Sequence, residues 1–152
     1  MPIRIIVIGK KHESWVAEGI QRYQKRLKSP FKIEWVVLAN SPATAVRARQ
    51  EESQHICSRL NANDYVILLD ERGKSVNSTE LTALLQSKLE TSKPMVIVIG
   101  GAFGVDDVIL HRADFVWSLS ELVFPHQLVR LILIEQLYRA QEIAVGKPYH
   151  HK

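Results

Sequence analysis

Three glycines, Gly100, Gly101 and Gly104, end an apolar run in the stretch VIVIGGAFGVDD (96–107), and two acids follow them. Glycines at a strand end could cradle a phosphate, but a dinucleotide fingerprint needs them at the first, third and sixth positions. These miss that spacing. A P-loop would also need a Lys-Ser/Thr pair after the glycines, for charge and for a magnesium ligand, and none follows. Glu121, about 20 residues past Gly101, keeps a ribose-binding acid in play and with it a nicotinamide-dependent oxidoreductase. A plain turn is the simpler reading, although it accounts for one glycine more easily than for three.

A second stretch, WSLSELVFPHQLVR (117–130), suggests a different ligand. The chain leaves an expected strand through Ser120 and Glu121, crosses Leu122, Val123 and Phe124, and enters a helix at Pro125, a favoured first-turn residue. Loops are normally polar, so an apolar one must be covered by another loop, another chain or a ligand. Together with Leu69, the two loops could wall a pocket whose backbone groups read an adenine between apolar side chains. Such a site would hold a nucleoside without phosphates.

The elements that must position these loops follow from periodicity. Residues 3–9, 31–38, 65–70, 94–100 and 114–120 read as strands. Helical spacing appears at Val16, Ile20, Tyr23 and Leu27, across 43–60, through Leu81–Leu89 behind an Asn77/Glu80 capping box, around 105–112, and from about Pro125 to Ile143. ERGK (71–74) reads as a glycine-centred turn. Strands alternating with helices imply an α/β fold, a mainly parallel sheet with helices on both faces and ligands beyond the carboxyl ends of the strands.

The 152 residues fit a single domain, 1–152, of ordinary globular composition, 46% hydrophobic and 24% charged. A net charge of +4 is compatible with an anionic partner such as nucleic acid. No signal peptide or membrane-length apolar run is present, which suggests a cytoplasmic protein with no membrane partner. The lone Cys57 is expected in packing, and the scattered His12, His55 and His111 have no metal-ligand pattern, so no metal is expected.

LLDERGK (68–74), VIGGAFG (98–104), SLSELVFPHQLVRLILIEQLYRA (118–140) and the closing PYHHK (148–152) resemble, in order and nearly end to end, the ribosomal RNA large subunit methyltransferase H family of the SPOUT class. The resemblance implies a C-terminal trefoil knot, a homodimer, S-adenosylmethionine as cofactor, and methylation of N3 of a pseudouridine in ribosomal RNA of the large subunit or assembled ribosome. It places the cofactor on Leu69, Gly101, Ser120, Glu121, Leu122, Val123, Phe124 and Pro125. Ala102 and Phe103 stand where the family often carries Pro and Glu.

Methyl transfer is an in-line displacement, so alignment in an apolar pocket does most of the work and no metal is required. The imide proton of the nucleophilic nitrogen must leave, and the flanking carbonyls gain negative charge. His126 and Arg130, one turn apart, could reach the pocket mouth, or cap the helix and face solvent. Glu135 and Arg139 at i, i+4 suit an ion pair, with Arg139 also able to reach RNA phosphate or the target base. The resemblance gives the tail an active-site role, in which Tyr149 could stack on a flipped pyrimidine and His150 titrate near neutral pH. The catalytic set is thus His126, Arg139, Tyr149 and His150. Lys10, Lys11, Arg22, Lys25, Arg26 and Lys28 could contact RNA phosphates or simply be solvated. Leu128, Leu131, Ile132 and Leu137 are expected to contribute partly to a dimer interface. A non-catalytic RNA-binding module would need only the basic surface.

Overall fold

The structure is a computed structural model and describes residues 1–149. Its elements run β1 (Ile3–Ile8), α1 (Ser14–Gln24), β2 (Ile33–Leu38), α2 (Ala45–Ser58), β3 (Tyr65–Lys74), α3 (Ser78–Leu89), β4 (Met95–Ile99), α4 (Asp107–Arg112), β5 (Phe115–Trp117) and α5 (His126–Ala144). The strands form one sheet in the order β2-β1-β4-β3-β5, every neighbouring pair parallel.

Apolar runs unbroken by polar residues are what a strand buried on both faces requires. Along β1 and β4, Ile5, Val7, Ile97 and Ile99 point into a core completed by Val16 of α1, Leu85 of α3 and Leu133 of α5. The intervening Ile6, Ile8, Val96 and Val98 point the other way, against Ile56 of α2 and Ile109 of α4. Chain order reverses where β4 inserts between β1 and β3, so the glycines that follow β4 emerge at the topological switch point. The capping box forms as expected: Asn77 Oδ1 accepts from the Glu80 N–H (2.8 Å) and Glu80 Oε1 from the Asn77 N–H (3.0 Å).

Several boundaries differ from expectation. ERGK is no turn: β3 continues to Lys74, and both Leu69 and Lys74 register with Trp117 across a bulge. Glycine makes this possible, because a Cβ on Gly73 would lie 2.5 Å from the Val116 carbonyl oxygen. β5 stops at Trp117 rather than 120, since Ser118 Oγ donates to the Ser120 carbonyl (2.9 Å) and Ser120 Oγ accepts from the Leu122 N–H (3.0 Å). Such local side-chain bonds compete with a strand ladder. α1 ends at Gln24, leaving Leu27 buried beyond it, and Pro125 is the N-cap of α5. Leu137 is fully buried in the core of the chain and so cannot belong to an interface. Among the described residues no helix is long and apolar enough to cross a membrane.

Gly73→Ala is expected to drive a methyl group into the β5 backbone and cost ~1–3 kcal/mol, in line with overpacking elsewhere. Urea unfolding would read this as a lowered midpoint with an unchanged slope; an unchanged midpoint would mean the bulge relaxes freely.

Candidate functional site

At the carboxyl ends of β3, β4 and β5 the chain encloses a cavity of about 540 Å³, inside the usual range for small-molecule sites. One wall is the glycine loop, Gly100 to Gly104. The other is the 118–126 segment, and Leu69, Asp70 and Arg72 of β3 close the side. Of the residues expected at a cofactor, Leu69, Gly101, Ser120, Leu122, Val123 and Phe124 line this cavity. Glu121 and Pro125 share the segment but are not on the lining. Leu122 and Val123 are 70% and 80% exposed, apolar side chains left for a ligand or another chain to cover. Asp70 is held bidentately by Arg72 at 2.8 Å on each oxygen, and these bonds keep its carboxyl below the usual carboxylate range.

The glycines serve different ends. Gly104 has a φ of +77° and its N–H donates to the Gly101 carbonyl (2.9 Å), turning the loop. Gly101 is needed for closeness: a Cβ there would sit 2.5 Å from Glu52 Oε1 and 3.0 Å from Ile8 Cγ2. The acid comes from α2, one face of which braces the whole loop. Arg49 Nε donates to the Phe103 carbonyl (3.0 Å), Glu52 lies against Gly101, and Ser53 Oγ accepts from the Asp106 N–H (3.0 Å). Glu52 is 5% exposed, with Oε2 accepting from the Ser41 N–H (3.0 Å) and Oε1 buried without a partner. Reading the sequence alone misses this trio. Its one available signal is the i, i+3, i+4 spacing of Arg49, Glu52 and Ser53, which any helix face shares.

His126, at the start of α5, lines the cavity with its Nδ1 buried and unpartnered. Burial pulls its pKa down, the Gly100 carbonyl and Glu52 partly offset this, and Arg130 adds to the depression. The neutral imidazole is therefore favoured. Arg130 points elsewhere. It is 1% exposed and staples the β1 exit, donating from Nη1 to the Lys10 carbonyl (2.8 Å) beside His12 Nδ1 (3.4 Å). Neither the solvated nor the pocket-mouth expectation describes it, because α5 lays its first turns directly over the β1–α1 loop.

The remaining candidates lie at the far end of α5. Arg139 pairs with Glu135 (Nη2 to Oε1, 2.5 Å), and its guanidinium stacks 4.9 Å over the Tyr149 ring. Tyr149 also sits edge-on to Tyr138 at 4.9 Å and directs its hydroxyl at Glu135 (3.5 Å). Burial first, then Glu135 and Tyr23, push the Tyr149 phenol up to about 12, so it stays protonated near neutral pH. His150 lies outside the described residues. At 1.5 Å per helical residue, Arg139 is about 20 Å along α5 from His126. The described candidates thus fall in two places on one chain, His126 at one end of α5 and Arg139 and Tyr149 at the other. Among the described residues no cluster of ligating side chains could hold a metal ion.

Comparison with known proteins shows what the chain as a whole is similar to. The family model described as "Predicted SPOUT methyltransferase" matches residues 1–150. Proteins named ribosomal RNA large subunit methyltransferase H are similar throughout. That of Acetivibrio thermocellus is 40% identical, with 99% of each chain covered. That of Acidiphilium cryptum is 43% identical, covering 97% of this chain and 92% of its own. In fold, the chain resembles a tRNA methyltransferase from Aquifex aeolicus, at a TM-score of 0.58 and 18% identity, over 100% of this chain and 76% of that one.

Two tests follow from the geometry. Gly101→Ala is expected to cost ~1–3 kcal/mol by overpacking against Glu52. Adding Glu52→Ala should recover part of the loss, a coupling of roughly 0.5–3 kcal/mol in a double-mutant cycle on urea stability; strictly additive losses would refute the contact. The depressed pKa values of His126 and His12 have a second consequence, because the unfolded chain binds protons that the folded chain refuses. Stability should be full above the ordinary histidine range, about 6.5, and fall as pH drops through it. A His126→Gln variant should show a shallower fall over the same range.

Proposed function

The chain belongs to the SPOUT methyltransferase family and is a ribosomal RNA methyltransferase, and we propose that it methylates N3 of a pseudouridine in large-subunit RNA with S-adenosylmethionine. The proposal includes a homodimer of single-domain protomers, each 1–152 with a C-terminal trefoil knot, acting in the cytoplasm on the subunit or assembled ribosome. The observation that carries it is the cavity between the glycine loop and residues 118–126, whose lining mixes apolar and polar groups.

The residues fit such a cofactor. Gly101 lines the cavity where the loop packs too closely on Glu52 and Ile8 for any side chain, Leu122, Val123 and Phe124 offer apolar walls, and His126 brings a buried polar atom without a partner. Leu69, Ser120 and the backbone of Glu121 and Pro125 complete the proposed binding set. When bound, the sulfonium supplies an electrophilic methyl group. The chain's own groups do the rest. Its apolar walls exclude water from the nucleophile, and neutral His126 can accept a hydrogen bond or proton at the cavity. Arg139 would hold the charge that develops on the pyrimidine carbonyls, and Tyr149, kept protonated, would stack on the base and donate. His150 is assigned the N3 proton. Held by these residues, the cofactor would supply the methyl group and leave without it, while the N3 proton would pass to His150.

Because α5 separates His126 from Arg139 by about 20 Å, a second copy must deliver the tail to the cofactor cavity. The exposed Leu122 and Val123 at the cavity mouth and the half-buried Leu128 and Ile132 support such an interface.

Titration calorimetry is expected to show binding of S-adenosylmethionine and none of NAD; the reverse would replace this reading with the oxidoreductase. Removing residues 149–152 should lower methylation of ribosomal RNA by 10²-fold or more, the scale of acid–base and positioning losses, while cofactor affinity stays within a few-fold. Activity that survives the truncation would remove the tail from the site.

A further inference from the structure

A second cavity, of about 670 Å³, opens at the amino edge of the sheet, beside the Tyr138–Tyr149 pair and away from the cofactor cavity. Its floor is apolar, with Phe31, Leu89, Tyr138 and Val145, while Lys25, Arg26, Lys28 and Lys147 stand on its rim. Two acids, Glu90 and Glu142, share the lining. Among the described residues Lys25, Arg26 and Lys28, like most lysines of the chain, have no carboxylate within ion-pair distance, and Lys147 pairs with the buried Glu142 at 3.8 Å.

The three cations are nevertheless not on a loose loop. Gln141, 8% exposed on α5, accepts from the Lys28 N–H (2.7 Å) and donates to the Arg26 carbonyl (3.0 Å). A single buried amide therefore grips the backbone on both sides of Leu27, which is itself buried. Unpaired cations presented on a fixed backbone, above an apolar floor, suit a polyanion whose monomers carry flat rings. A second copy of this chain suits the face less well, since it would bring the same uncompensated cations.

We propose that this groove holds the RNA strand flanking the methylated nucleotide, with backbone phosphates on Lys25, Arg26 and Lys28 and one unstacked base seated over Phe31 and Val145. The inference rests on the ribosomal RNA reading above and extends it to a site outside the catalytic set. Phosphate contacts of this kind position RNA without reading its sequence, and the seated base fixes the strand's path toward Tyr149.

The test is binding of large ribosomal subunits and assembled ribosomes, by wild type and by the triple variant Lys25→Gln/Arg26→Gln/Lys28→Gln, all exposed positions. The variant should bind at least tenfold more weakly near physiological salt. The slope of log affinity against log salt should shrink by about 2, at roughly 0.7 per single-strand phosphate contact. Cofactor affinity and sedimentation should not change. Val145→Glu, at a position 62% exposed, should weaken RNA binding several-fold on its own. Unchanged RNA affinity in a wild type that methylates would overturn the groove assignment, as would dissociation of a dimer in place of RNA loss. A wild type that neither binds nor methylates the RNA would instead overturn the reading beneath it.

Discussion

The length of α5 is the constraint on which the functional architecture depends. Its nineteen residues form one uninterrupted rod, packed on the sheet through Leu133, Ile134 and Leu137. Both ends are fastened by side chains that grip backbone. Gln127 and Arg130 hold the β1–α1 loop at the start, and Gln141 holds residues 26–28 at the finish. A rod fixed in this way cannot bend to bring its ends together. The polar groups it carries must therefore serve two places.

The two ends are also tuned differently. At the cavity end, burial disfavours charge on His126, the glycine loop is pressed onto Glu52, and Asp70 and Arg72 neutralise each other on the lining. The far end concentrates charge and aromatic surface: Glu135, Arg139, Tyr138 and Tyr149, beside the basic groove. The parallel sheet keeps the cavity at its carboxyl edge and the charged, aromatic surface at its amino edge.

Much of this was legible in residue order. Alternating core assignments along β1 and β4 follow from the Ile/Val runs at 5–8 and 96–99, and the Asn77/Glu80 pair marks the start of α3. The two loops that meet over the cavity were marked by glycines and by apolar residues where a loop should be polar. What escaped notice depends on long-range contact. ERGK looks like a turn until Trp117 is found to pair on both sides of a bulge, and Glu52 looks like one more polar residue on a polar helix. Arg130 and Leu137 carry no local sign that both are buried.

The central claim is that a working site takes its cofactor cavity from one copy and its tail from another. It is tested most directly by co-expressing two chains, one carrying Gly101→Ala, which is expected to displace the glycine loop from the cofactor, and the other lacking residues 149–152, each confirmed silent when expressed alone, and assaying methylation of ribosomal RNA. Random pairing into two-fold dimers leaves one intact site in half of the dimers, so activity should return to about a quarter of wild type. A mixture as silent as its components, beside an active wild type, would show that each chain builds its site alone.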